Sequence, residues 1–194
     1  MKLILLGLGN PGNKYQDTRH NLGHWFTDRF SSVGNASFIK SEDFCLSSFT
    51  YTNAEIILLK SSHYMNANGT GLASFLNKNL MDQDIFMVVH DEVGLPLGKI
   101  KISQSKSAGG HNGVRNVIDA IGYCPLRLRL GIDSERPPDM KLSDFVLSKF
   151  SIEEQKSLDS LFPKLKHAIG LLISRGISFA SNYTNRYPIP SPSF

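Results

Sequence analysis

The chain has 194 residues, 41% of them hydrophobic and 20% charged, with a formal net charge of +4. These proportions exclude a disordered acidic chain and a membrane-embedded one, and the length suits one domain of ordinary size. Two cysteines, Cys45 and Cys124, stand far apart without a CxxC spacing, which suggests neither a disulfide framework nor a zinc knuckle.

Residues 3–8 form a nearly continuous apolar run, the pattern of a strand buried on both faces, closed by the turn signal Asn10-Pro11-Gly12-Asn13. The run is too short to cross a bilayer and lacks a signal peptide's layout, so a cytoplasmic protein without a membrane partner is expected. After a loop through Tyr15, Thr18 offers an N-cap. Leu22, Trp25, Phe26 and Phe30 then recur at helical spacing, which predicts a helix over 20–31 ended by Gly34. Residues 44–61 read as a hairpin turning near Asn53, and Leu72, Phe75, Leu76 and Leu80 place a second helix over 69–80. A further buried strand spans 85–89 and ends at His90-Asp91.

Residues 99–103 alternate charged and apolar side chains like a half-exposed strand. A small-residue loop over 105–110 leads to a helix over 112–121, and residues 126–132 form another alternating strand. Residues 152–183 read as largely helical, with Pro163 tolerable near a helix start or a kink. The Pro-rich residues 187–194 are expected to be a loose tail on a single domain over 1–186. Strands alternating with helices predict an α/β fold: a twisted, mixed but largely parallel sheet with helices on both faces.

In open α/β sheets the functional groups gather beyond the carboxyl ends of the strands. Asn10 follows the first apolar strand, Asn66 comes a few residues after Leu59, and His90-Asp91 follows the 85–89 run. If those strands are parallel neighbours, their polar residues share one crevice, which His20 and His111-Asn112 could also reach. A histidine beside a carboxylate is the minimum kit for activating water, and carboxamides can hold a carbonyl or a developing oxyanion. Between Leu97 and Leu130 stand Lys99, Lys101, Lys106, Arg115, Arg127 and Arg129 against one acid, Asp119, a stretch that could face phosphates.

Four clusters carry a resemblance. Gly7-Leu8-Gly9-Asn10-Pro11-Gly12 with Tyr15 and Thr18-Arg19-His20-Asn21 resembles the N-terminal signature of bacterial-type peptidyl-tRNA hydrolases. Tyr64-Met65-Asn66 with Gly69, His90-Asp91-Glu92 with Leu95-Pro96 and Gly98, and Gly109-Gly110-His111-Asn112-Gly113 resemble that family's other three, in family order. The resemblance implies hydrolysis of the ester between a peptide and the tRNA 3′ end, with His20 as general base, oriented by Asp91. It implies that Asn10 helps distinguish a peptidyl from a free aminoacyl group. Tyr15, Tyr64, Asn66 and Asn112 would contact the tRNA 3′ end or the peptide, with Asn66 and Asn112 also ordering the water. Lys99, Lys101, Lys106 and Arg115 would meet phosphates. No cofactor, no metal and no obligate protein partner are implied, and the protein is expected to be a monomer. Ser61-Ser62-His63 departs from the family's usual Pro- and Thr-containing stretch, which affects the loop entering the site.

Other readings fit less well. Gly7-x-Gly9-x-x-Gly12 formally matches a dinucleotide fingerprint, but Pro11 delays the helix that should hold the pyrophosphate and no second strand ends in an acid about 20 residues on. His20 and His24 form an i,i+4 pair that could ligate a metal with His90, Asp91 or His111, yet the intervening residues lack the glutamate of the zincin motif. There is no G-x-S-x-G, which disfavours a serine hydrolase. A non-catalytic RNA-binding module would explain the basic stretch while leaving His20 and Asp91 idle.

Overall fold

The computed structural model describes residues 1–105 and 107–186, so the expectations for Lys106 and for the 187–194 tail fall outside the described residues. One seven-stranded sheet runs through it in the order β2-β3-β4-β1-β5-β7-β6. The strands are β1 (Lys2–Gly7), β2 (Ile39–Lys40), β3 (Phe44–Tyr51), β4 (Ala54–Ser61), β5 (Ile85–Pro96), β6 (Ile100–Gln104) and β7 (Leu126–Asp133). The central four, β4-β1-β5-β7, are mutually parallel, and the antiparallel strands β3 with β2 and β6 flank them. The sheet is thus mixed and largely parallel, as its sequence pattern predicts.

Helices cover both faces. Leu3 and Leu5 of β1 point to one side, where Phe26 and Phe30 of α1 (Leu22–Val33) and Leu161, Leu165 and Leu172 of α5 (Ile152–Arg175) pack on them. Ile4 and Leu6 point to the other, against Leu72 and Leu76 of α2 (Leu72–Asn79) and Val114 and Val117 of α3 (Asn112–Ile121). This alternation of side chains along a strand is why a wholly apolar run was needed. The short α4 (Leu142–Val146) and α6 (Ile177–Thr184) complete the chain.

Three expectations need correction. The helix predicted from His20 begins at Leu22: Arg19–Asn21 is a single 3-10 turn, and Thr18 makes no capping bond because its hydroxyl donates to Tyr15 O at 2.8 Å. The 85–89 strand does not stop at His90-Asp91. It runs on to Pro96, because β7 continues to pair with it through Asp91↔Leu130 and Glu92↔Gly131. Pro163 lies well inside α5, which passes through it unbroken.

α1 sits unusually close to the sheet. A Cβ on Gly23 would fall 2.4 Å from both Leu8 N and Val89 O, and one on Gly7 would fall 2.4 Å from Gly23 O. These contacts allow the helix start, and with it the 3-10 turn, to rest on the end of β1 and on β5 at Val89. Gly23→Ala should therefore cost about 1–3 kcal/mol through forced backbone displacement. Urea unfolding would measure it, and an unchanged midpoint would show that the close approach is not required.

Candidate active site

His20 stands in the middle of the Arg19–Asn21 turn. Arg19 fixes that turn from behind. Its backbone N–H donates to Ser148 O, its Nη2 donates to both carboxylate oxygens of Glu154 at 2.7 and 2.8 Å, and its Nη1 donates to Lys149 O at 2.6 Å. The guanidinium also lies over the Phe145 and Phe150 rings, 4.5 and 4.9 Å from their centroids. Glu154 is at the same time half of the capping box that starts α5, accepting from Ser151 N at 2.8 Å. Charge-assisted hydrogen bonds are the stronger kind, so the turn that carries the histidine is tied to the start of α5.

Asp91 is buried in β5, and its carboxylate serves two histidines. His20 Nδ1 lies 3.0 and 3.1 Å from its two oxygens, and His111 Nε2 lies 2.9 Å from Oδ1. The tautomer of His111 follows from its second contact. His111 is the N-cap of α3, and its Nδ1 accepts the Val114 backbone N–H at 3.3 Å. An accepting Nδ1 carries no proton, so Nε2 bears the hydrogen and donates it to Asp91. His20 uses the opposite nitrogen, donating Nδ1–H to the carboxylate and leaving the Nε2 lone pair free. The loop before α3 reaches this geometry through Gly109 and Gly110, at φ of 60° and 82°, a left-handed conformation that suits glycine.

The electrostatics favour an ionised carboxylate. Burial pushes the Asp91 carboxyl up, but the charge of and hydrogen bonds from His111 and His20 outweigh it and hold the group well below the usual carboxylate range. For His20, burial works downward and the Asp91 carboxylate upward, with a net rise above 6.5. His24 behaves oppositely: burial, with the Lys60 charge, pushes it down to about 3. His90 is fully buried, contacts the Asp91 carbonyl through Nδ1 at 2.6 Å, and is also held well below 6.5, chiefly by burial.

His20, Asp91, His111 and Asn112 line one cavity of about 260 Å³, closed on one side by Val93, Leu142 and Val146. Asn10 lines a second cavity, of about 420 Å³, with Asn21, the residue that follows His20. The Asn21 side chain bonds both backbone groups of Asn10 at 2.8 Å, which ties the two regions together. Asn10 Oδ1 accepts from Met65 N at 2.8 Å, and its Nδ2 has no partner among the described residues. Asn66 sits in the 3-10 turn Met65–Ala67, and Tyr64 before it meets Tyr15 edge-on, ring centroids 6.2 Å apart. The donor atoms of His20, Asp91 and His111 lie within 4.8 Å of one another and could hold a metal ion. His24, the other half of the i,i+4 pair, packs its ring against Gly9 and is not part of this group.

Among the described residues, the members of the basic stretch are not all free to form one face. Arg127 is buried in β7, and Arg129 pairs with Glu92 at 2.7 Å. Lys101 lies opposite Arg129 on the edge strand β6, and Arg129 in turn opposite His90. Two strand spacings put Lys101 about 10 Å from His90. Lys99 precedes β6, and Arg115 borders a separate depression beside Ser107 and Gly110. The sequence pattern gave no role to Arg19, Asn21 or Asn68; it placed His111 within reach of the crevice but not as a second partner of Asp91. It drew nothing from Asn116, whose Oδ1 accepts Gly69 N–H at 2.7 Å and joins α3 to the 64–69 segment.

A buried Asp–His pair with a free imidazole nitrogen beside a cavity, on a largely parallel α/β sheet, is an arrangement that can activate water for hydrolysis. The peptidyl-tRNA hydrolase family profile matches residues 4–191. Curated relatives named peptidyl-tRNA hydrolase include one from Fervidobacterium nodosum, 39% identical over 96% of this chain and 98% of its own length. Another, from Thermodesulfovibrio yellowstonii, is 33% identical over 95% of this chain and 99% of its own. A crystal structure of peptidyl-tRNA hydrolase from Acinetobacter baumannii superposes with a TM-score of 0.86 at 28% identity, covering 96% of this chain and 95% of that one. The chain belongs to the peptidyl-tRNA hydrolase family, and peptidyl-tRNA hydrolysis, a carboxylic ester hydrolysis, is its activity.

The sign of the His20 shift gives a direct check. By NMR titration the His20 imidazole should lose its proton above pH 6.5 in the wild type. In Asp91→Asn its midpoint should fall below 6.5, since burial would then act unopposed. A midpoint unmoved by that substitution would mean that Asp91 does not control the ring.

Proposed function

We propose that His20 is the general base of a metal-independent hydrolysis in which water attacks the ester carbonyl linking a peptide to the tRNA 3′ end. The observation that carries this is the Asp91 carboxylate fixing His20 through Nδ1, which leaves Nε2 as the proton acceptor. His20 takes a proton from the water, Asp91 stabilises the imidazolium formed, and the proton is returned to the leaving ribose oxygen. Asn112, which lines the same cavity, and Asn66 hold the water and the carbonyl. Free tRNA and free peptide are the products.

Asn10 contacts the acyl chain next to the ester, and the exposed Tyr64 with its partner Tyr15 offers aromatic surface to the 3′ nucleotides or the peptide. Lys99, Lys101 and Arg115 meet backbone phosphates farther along the acceptor end. Lys101 stands on the edge strand β6 and Arg115 in α3, so they are separate points of contact. One chain supplies every group in this scheme, which fits a monomer at work in the cytoplasm, and among the described residues no helix is long and apolar enough to cross a membrane.

The test is hydrolysis of N-acyl-aminoacyl-tRNA across pH, with and without chelator. The acid limb of kcat/KM should have its midpoint above 6.5, activity rising as His20 loses its proton, and chelator should leave the rate unchanged. His20→Ala should lower kcat by roughly 10²–10⁴. Asp91→Asn should lose less, because base and water both remain. Near-wild-type turnover by His20→Ala would show that another group is the base.

A further inference from the structure

Gly9 and Asn10 lie past the end of β1, where no strand pairs with them. Two buried side-chain amides take the place of neighbouring strands. Asn21 bonds the N–H and C=O of Asn10, and Asn68 does the same for Gly9, accepting its N–H at 3.2 Å and donating to its C=O at 3.1 Å. Asn68 is wholly buried, and its Nδ2 also lies 3.0 Å from His63 O and 2.9 Å from Tyr64 O. Two amide hydrogens are thus shared among three carbonyls, the bifurcated arrangement found where backbone segments converge.

These bonds close a ring. Asn68 joins Gly9 to Tyr64, and Asn10 Oδ1 takes the N–H of Met65, the next residue. The ring fixes which end of the Asn10 amide faces substrate. Because Met65 N–H requires an oxygen, Oδ1 points to the turn and the Nδ2 hydrogens point outward. An outward donor matches the carbonyl that an N-acylated aminoacyl ester presents next to its ester. It mismatches a free aminoacyl ester, which presents an ammonium that only donates and is charged. Were the Met65 turn released from Gly9, the Asn10 amide could turn over and offer its oxygen to that ammonium.

We propose that Asn68 is a positioning residue for substrate selection: it clamps Gly9 to the Tyr64–Met65 turn, and so holds the Asn10 amide donor-outward against free aminoacyl-tRNA. Asn68 bonds neither His20 nor Asp91, so its effect is on selectivity and leaves the base intact. The inference rests on the proposed contact between Asn10 and the acyl chain.

The experiment measures kcat/KM for an N-acetyl-aminoacyl-tRNA and for the same unblocked aminoacyl-tRNA, with wild type, Asn68→Ala, Asn68→Ser and Asn10→Ala. Asn68→Ser keeps a donor and an acceptor, so it folds more readily than Asn68→Ala. The ratio of the two constants should fall on the order of tenfold in Asn68→Ala, the scale of one lost hydrogen bond, and by less in Asn68→Ser. The midpoint of the acid limb should stay at the wild-type value in both, which a general loosening of the site would not allow. If both Asn68 variants keep the wild-type ratio while Asn10→Ala loses it, the clamp is wrong and the role of Asn10 stands. If Asn10→Ala also keeps it, the Asn10 reading fails and takes the clamp with it.

Discussion

A single buried carboxylate organises this molecule's chemistry. Asp91 accepts from His20 Nδ1 and His111 Nε2 at about the same distance, and neither contact could form without the other elements being in place. His111 is held by the first turn of α3, whose Val114 N–H dictates which imidazole nitrogen carries the proton. His20 is held by a 3-10 turn that α1 supports from the sheet side and Arg19 anchors to the start of α5. An ionised carboxylate removed from water is costly unless several donors compensate it. The convergence of α1, α3 and β5 on this point supplies them, and the same donors prepare one imidazole to accept a proton.

Around that centre the chain uses carboxamides where charges would interfere. Asn21 and Asn68 replace missing strand neighbours, Asn116 binds the 64–69 segment to α3, and Asn10 joins β1's end to Met65. A side-chain amide offers one acceptor and two donor hydrogens in a plane, which matches the backbone it substitutes for. It does so without adding charge.

Much of this was legible beforehand. The buried parallel strands β1, β4 and β5 announce themselves as apolar runs, and α3 spans the residues that its spacing predicts, 112–121. His20 and Asp91 do meet. What the sequence concealed has physical reasons. The continuation of β5 through His90 and Asp91 is invisible because these polar residues are buried by tertiary pairing, which no local pattern reports. Arg127 and Arg129 look like an exposed face because alternation usually means half-exposure, yet β6 shelters β7, and Glu92 neutralises Arg129. Asn21 and Asn68 stand in turns, where asparagine reads as a cap, and only the folded backbone shows that they pair like strands.

The central claim is that two histidines present opposite nitrogens to one carboxylate. Nitrogen-15 NMR of histidine-labelled protein above pH 8 reads each tautomer directly. The account predicts the Nδ1–H form for His20 and the Nε2–H form for His111, with His20 reverting toward the ordinary mixture in Asp91→Asn. An Nε2–H tautomer at His20 in the wild type would contradict it, because the nitrogen assigned to accept the proton would already carry one.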